Sequence, residues 1–127
     1  MDVRKEFAFK DLLVWQKSVD FANLAISMTE SLNSSQKHYR LIEQLETAST
    51  SVAMNIAEGK GRISKKEFIQ FLYIARGSLY ETITLAIIFQ KRNWISQEQL
   101  NQLEKEALEI ASMLKGLINS INKSQTA

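Results

Sequence analysis

The chain has 127 residues, 45% apolar and 24% charged, with a net charge of +2. That is enough to bury roughly two thirds of the unfolded surface in one domain, and the composition excludes a disordered chain. So small a net charge gives no bulk signal for a polyanionic partner, and the absence of cysteine excludes disulfides and thiolate metal sites.

There is no proline, and only four glycines interrupt the chain, so helices can run long. The longest unbroken apolar run, Leu85 to Phe89, is far short of the ~20 residues that cross a bilayer, so no membrane role is expected. The basic residues at the N-terminus have no apolar run behind them that would make a signal peptide. A cytoplasmic protein is expected, and the lack of cysteine fits a reducing compartment.

Four helices follow from period and caps, at about 11–32, 36–58, 64–92 and 96–122 of a single domain spanning 1–127. The first carries a core stripe of Leu12, Trp15, Val19, Ala22 and Ile26. On roughly its opposite side lies a second stripe of Val14, Phe21, Ala25, Met28 and Leu32. The second helix carries Leu41, Leu45, Ala48, Val52 and Ile56 and stops at Gly59, read as a C-cap. The third starts with a capping box, Ser64 with Glu67, and its core stripe is Phe68, Leu72, Ala75, Leu79, Ile83 and Ala86. A flank of the same helix adds Ile69, Tyr73, Tyr80 and Ile87.

The fourth helix opens on a second capping box, Ser96 with Gln99, and Ile95 can staple onto Leu100. Leu100, Leu103, Ala107, Ile110, Leu114, Leu117 and Ile121 form its single apolar face, and Trp94 stands ready to seal the end of the bundle. Short connections between long helices predict an all-α, antiparallel up-down four-helix bundle.

The first and third helices are apolar on more sides than one bundle interior can serve. Either these are scattered surface residues of a monomer, or Val14, Phe21, Met28, Ile69, Tyr73, Tyr80 and Ile87 make subunit contacts. The surplus favours the second. Gly77, inside the third helix, costs about 1 kcal/mol relative to alanine. Its presence reflects either plain drift or a close approach to the small residues Ala48, Ser49, Ala53 and Ala57.

No catalytic constellation emerges. His38 is the sole histidine and reads as a solvated helix-start residue. Gly59-Lys60-Gly61-Arg62 lacks the spacing of a phosphate loop, and no Glu-x-x-His motif exists for a dimetal site. Glu58 and Glu81 are read as structural ion-pair partners of Arg62 or Arg76, and Asn55 as a satisfied buried amide. No catalytic residue, metal or cofactor is expected. Lys60, Arg62, Lys65 and Lys66 cluster at the turn between the second and third helices. An up-down bundle would bring Arg4, Lys5, Lys10 and Lys123 to the same end. This is either a solvated turn or an electrostatic footprint for phosphate backbones.

Three stretches carry a family resemblance. Phe9 through Lys17 is one; Gln44-Leu45, Ala48 and Ser51 through Gly59, with Arg62 after it, is the second; Phe68 through Leu72, Ile74 through Leu79 and Glu81 is the third. Together they resemble the 23S rRNA intervening-sequence protein family, over about residues 9–120. The resemblance marks Asn55, Glu58, Gly59, Arg76, Gly77 and Glu81 as motif residues. It implies an up-down bundle assembling as a homopentameric ring, encoded within rRNA-gene insertions or standing alone in bacterial genomes. It also implies kinship with the accessory variability determinant of diversity-generating retroelements, a basic ring that binds nucleic acid and a reverse transcriptase. A homopentamer binding RNA or a nucleoprotein is therefore the expected function, and a protein-only scaffold for a partner polypeptide is the alternative. This chain departs from the family at Glu46-Thr47, where arginines are usual, at Ala53, where proline is usual, and at Leu32-Asn33, where Phe-Pro is frequent.

Overall fold

The computed structural model describes residues 7–30, 32 and 38–126. A 3-10 turn, Ala8–Asp11, leads into α1 (Leu13–Glu30), followed by α2 (Tyr39–Lys60), α3 (Lys65–Lys91) and α4 (Gln97–Thr126), and no strand occurs among the described residues. Each helix packs on its neighbours in sequence, α1 closes the square against α4, and among the described residues no diagonal pair of helices has backbones in close approach. Lys65, at the start of α3, donates to the hydroxyl of Ser124 near the end of α4 at 2.7 Å, as antiparallel neighbours require. The start expected for the second helix at Gln36, and the cations Arg4 and Lys5, lie outside the described residues.

The helix ends are set by local chemistry. Ser96 Oγ accepts the Gln99 N–H at 3.0 Å while the Ser96 N–H donates to Gln99 Oε1 at 2.8 Å, a complete capping box. Ser64 caps α3 by accepting from the Glu67 N–H at 3.1 Å. At the other end of α3, Asn93 takes the left-handed conformation, with φ 62°. The Trp94 N–H then reaches back to Phe89 O and the Asn93 N–H to Gln90 O, both at 2.9 Å, a Schellman closure. The Trp94 ring packs 5.0 Å from Phe89 and 4.5 Å from His38, so it covers the end of the core. His38 is half-buried there, not the solvated residue its position suggests.

The core runs the length of the bundle and includes Leu45, Val52 and Ile56 of α2 and Leu72, Ala75 and Leu79 of α3. Leu103, Ile110 and Leu114 lead the α4 face, with Ile118 turned in and Leu117 half-buried at its edge. Phe21 and Phe89 are wholly enclosed, each worth about 1.5–3 kcal/mol of transfer free energy.

On α1 the second stripe is the one that enters the core, while of the first Ala22 is buried and Leu12 and Trp15 pack at its edge. Val14, Phe21 and Met28, read as subunit contacts, are 4%, 0% and 4% exposed inside the subunit's own core, while Val19 faces solvent. Both stripes have helical spacing, so periodicity does not rank them. Ser18 and Thr29 do. Each hydroxyl donates to a carbonyl of its own helix, Val14 O and Ile26 O, at 2.7 Å. Their polarity is thus satisfied internally, and both enter the core beside Phe21 and Ala25.

Two glycine readings also change. Gly59 is not a cap: α2 continues through it to Lys60, and a Cβ there would lie 2.7 Å from Phe71 Cβ and 3.0 Å from Phe68 Cδ1. It is a point of close approach between α2 and α3. Gly77, by contrast, would place a Cβ within 4 Å of nothing, so it receives no contact from the small residues of α2. By length and composition α3 could cross a membrane, yet it lies along α2 and α4 with seven buried residues.

Candidate functional site

Both ends of the α2–α3 turn are fixed from within. The Gly61 N–H bonds Ala57 O at 3.2 Å and the Arg62 N–H bonds Gly59 O at 3.0 Å, closing α2; Ser64 then opens α3. Around this turn Lys60, Arg62, Lys65 and Lys66 are all exposed. Lys10 is exposed on the 3-10 turn, which packs against α2. Leu12, Phe68, Leu117 and Ile121 floor a cleft of about 300 Å³ at this end. Lys60, Arg62 and Lys65 rim it. Lys60, Arg62 and Lys65 thus meet at one cleft, and Lys10 lies on the adjoining 3-10 turn.

Their settings differ. Arg62 donates through Nη2 to Glu58 Oε1 at 2.6 Å and lies over the Phe71 ring at 4.8 Å. Lys60 sits over Phe68 at 5.8 Å, and Lys10 over Phe7 at 5.4 Å. Glu58 thus pairs with Arg62 as its spacing suggested, in an exposed pair that contributes little to stability. Glu81 makes no such pair with Arg76. That guanidinium lies over Tyr73 at 4.8 Å and Tyr80 at 5.9 Å instead. Asn55 is half-buried, and its amide donates to Ser51 O and Ser51 Oγ, both at 2.8 Å. Ser51 Oγ is 3.0 Å from Ser78 Oγ, which ties α2 to α3.

Of the flank read as a subunit contact on α3, Tyr73 and Tyr80 are exposed, and Ile69 and Ile87 are half-buried against the core edge. Beside Tyr80, an apolar groove of about 390 Å³ runs between α3 and α4, with Leu108 72% exposed on its far wall. Leu108 escaped the sequence reading because it falls on the polar side of the α4 stripe.

A second feature had only a faint signal, carboxylates three residues apart facing a lysine. Lys17 and Asp20 of α1 meet Glu106 and Glu109 of α4 around a pit of about 60 Å³. Lys17 Nζ pairs with Glu109 Oε1 at 3.1 Å, while Glu106 Oε2 is buried without a hydrogen-bond partner. Burial, then the Asp20 carboxylate, push the Glu106 pKa above its ordinary 4.5; Lys17 works the other way and Glu109 adds to the rise. Among the described residues no group of His, Cys, Asp or Glu has a metal-binding arrangement.

The fold places the chain in the class of small all-helical four-helix bundles, here with a basic end and an apolar outer flank. More particularly, the chain belongs to the 23S rRNA-intervening sequence protein family, whose model matches residues 10–116. A solved structure of a protein of unknown function from the S23 ribosomal protein family of Bacteroides thetaiotaomicron VPI-5482 is similar, at 27% identity and a TM-score of 0.77. The similarity covers 84% of this chain and 98% of that one. No curated protein matches.

Proposed function

We propose that the chain is a non-enzymatic, ring-forming accessory protein of the bacterial cytoplasm that binds RNA or a nucleoprotein through its basic end. The observation that carries this reading is the cluster of five exposed cations, Lys10, Lys60, Arg62, Lys65 and Lys66, on adjoining turns at one pole. A ring, five-fold as the resemblance implies, would repeat that pole around a rim and multiply its field. Self-association draws support from the outer flank of α3, where exposed Tyr73 and Tyr80 flank Arg76, the residue types that dominate protein contacts. The family's name agrees with an rRNA-linked role.

The test is a titration of labelled structured RNA at low and at raised salt. Salt-sensitive binding is expected, and reversing Lys60, Arg62, Lys65 and Lys66 to Glu removes it while the assembly persists. Absence of binding at low ionic strength contradicts the reading.

One observation favours a second reading, a protein-only scaffold whose partner is a polypeptide such as a reverse transcriptase. Glu58 already takes an edge of Arg62, and Glu46 stands where the family usually has basic residues, so the charge available to phosphates is reduced. Capture from the native host with and without nuclease separates the two: a partner retained after nuclease supports the scaffold.

A further inference from the structure

We infer that the basic end takes single-stranded nucleic acid, with a base set against Arg62 and Ile63 at the mouth of the Phe68-floored cleft. This rests on the reading of that end as a nucleic-acid surface and narrows the substrate to unpaired strands. Three observations carry it.

The first is the orientation of Arg62. Its Nη2 edge is held by Glu58 at 2.6 Å, and one face lies over Phe71 at 4.8 Å. A phosphate or carboxylate engages a guanidinium through its edge, in fork geometry. Glu58 takes a single contact, so Arg62 keeps its other N–H donors for a phosphate and the side away from Phe71 for a base. A flat base stacks on a guanidinium plane.

The second is Ile63. It is 104% exposed, the most exposed large apolar residue in the described chain, and it stands directly between Arg62 and the Ser64 cap. Both neighbours are fixed by hydrogen bonds, so the isoleucine is held out into water, covered by none of the described residues. An apolar wedge among cations suits bases that are already unstacked.

The third is the cleft itself. Leu12, Phe68, Leu117 and Ile121 give it an apolar floor, while Lys60 and Lys65 stand at its rim. An occupant must therefore combine an apolar flat part with flanking negative charge. A nucleotide of a flexible strand does so; a duplex hides its base faces and offers only its backbone. An acidic peptide with apolar anchors is the competing occupant, and its tighter binding would decide against the strand.

The experiment measures anisotropy of a labelled polyuridylate strand and of an RNA duplex of equal length at low salt. It uses the full chain and its Ile63→Ser and Arg62→Lys variants, whose folding is checked by thermal melts. Wild type is expected to bind the single strand about tenfold more tightly than the duplex. Each variant is expected to bring that ratio close to one, because serine removes the wedge and lysine keeps the charge without the plane. A wild-type ratio near one, or a preference that both variants keep, overturns this inference and leaves the broader reading intact. Failure of both RNAs to bind removes the broader reading and this one with it. Tighter binding of an acidic leucine-bearing peptide than of either RNA gives the cleft to a protein and overturns the inference.

Discussion

Gly59 and Gly77 both sit inside helices, and the same substitution is expected to move them in opposite directions. Replacing a helix-interior glycine by alanine gains up to about 1 kcal/mol from the smaller loss of backbone entropy. At Gly77 nothing opposes that gain, since a Cβ would have open space on every side within 4 Å. At Gly59 the new methyl would lie 2.7 Å from Phe71 Cβ, 3.0 Å from Phe68 Cδ1 and 3.3 Å from Phe68 O. Phe71 Cβ is fixed to its backbone and cannot swing away, so α2 and α3 must separate along this contact. Overpacking of this kind costs about 1–3 kcal/mol, which set against the helix gain leaves a net loss of up to about 2 kcal/mol. For a chain of this length each kcal/mol moves the melting temperature by about 3–5 °C. Thermal and urea unfolding followed by circular dichroism should show Gly77→Ala above wild type and Gly59→Ala below it. A Gly59→Ala protein as stable as wild type would refute the close-approach argument.

Phe21→Ala is expected to cost about 3–5 kcal/mol, as a wholly enclosed ring should, while Val19→Ser stays within about 0.5 kcal/mol; urea unfolding of both would show it. A Phe21→Ala protein that stayed stable but lost its assembly would return Phe21 to the subunit surface. Removing the Ser96 hydroxyl, as Ser96→Ala, breaks one half of the α4 capping box and lowers stability by about 1 kcal/mol in the same assay. Glu106 has a folded-state pKa above its ordinary 4.5, so the folded chain holds that proton more tightly than the unfolded one. Its contribution therefore falls as pH rises through the interval above 4.5, and Glu106→Gln should gain stability at neutral pH and flatten that dependence. Denaturation at mildly acid and neutral pH checks this, and an unfavourable Glu106→Gln at neutral pH speaks against it.

How much of this was legible in the sequence differs from helix to helix. The fourth helix could be read almost whole, because one apolar face and a reciprocal Ser96–Gln99 cap leave a single solution. The first could not. Its two stripes share a period, and the choice between them fell to Ser18 and Thr29, whose inward hydroxyls look polar in a sequence but are bonded within the helix. Gly59 reads as a cap, and Gly77 as either drift or a close approach, for a similar reason: a glycine's use depends on what another helix brings near it. The basic end was visible because Lys60, Arg62, Lys65 and Lys66 lie within one short stretch of the chain and an up-down path returns the other helix ends to them. The planar use of Arg62, by contrast, needs Glu58 and Phe71 in place around it. The Glu106 pit, built from two helices far apart in sequence, left no pattern strong enough to read.

With α1's best apolar side chains turned inward, the case for assembly now stands on α3 and its exposed Tyr73 and Tyr80. Light scattering across a size-exclusion column measures it most directly. The account predicts a mass several times the 14.5 kDa of one chain, five-fold for a closed ring, and its collapse toward 14.5 kDa when both tyrosines are replaced by serine. A wild-type protein that elutes as a single 14.5 kDa species at working concentration would contradict it.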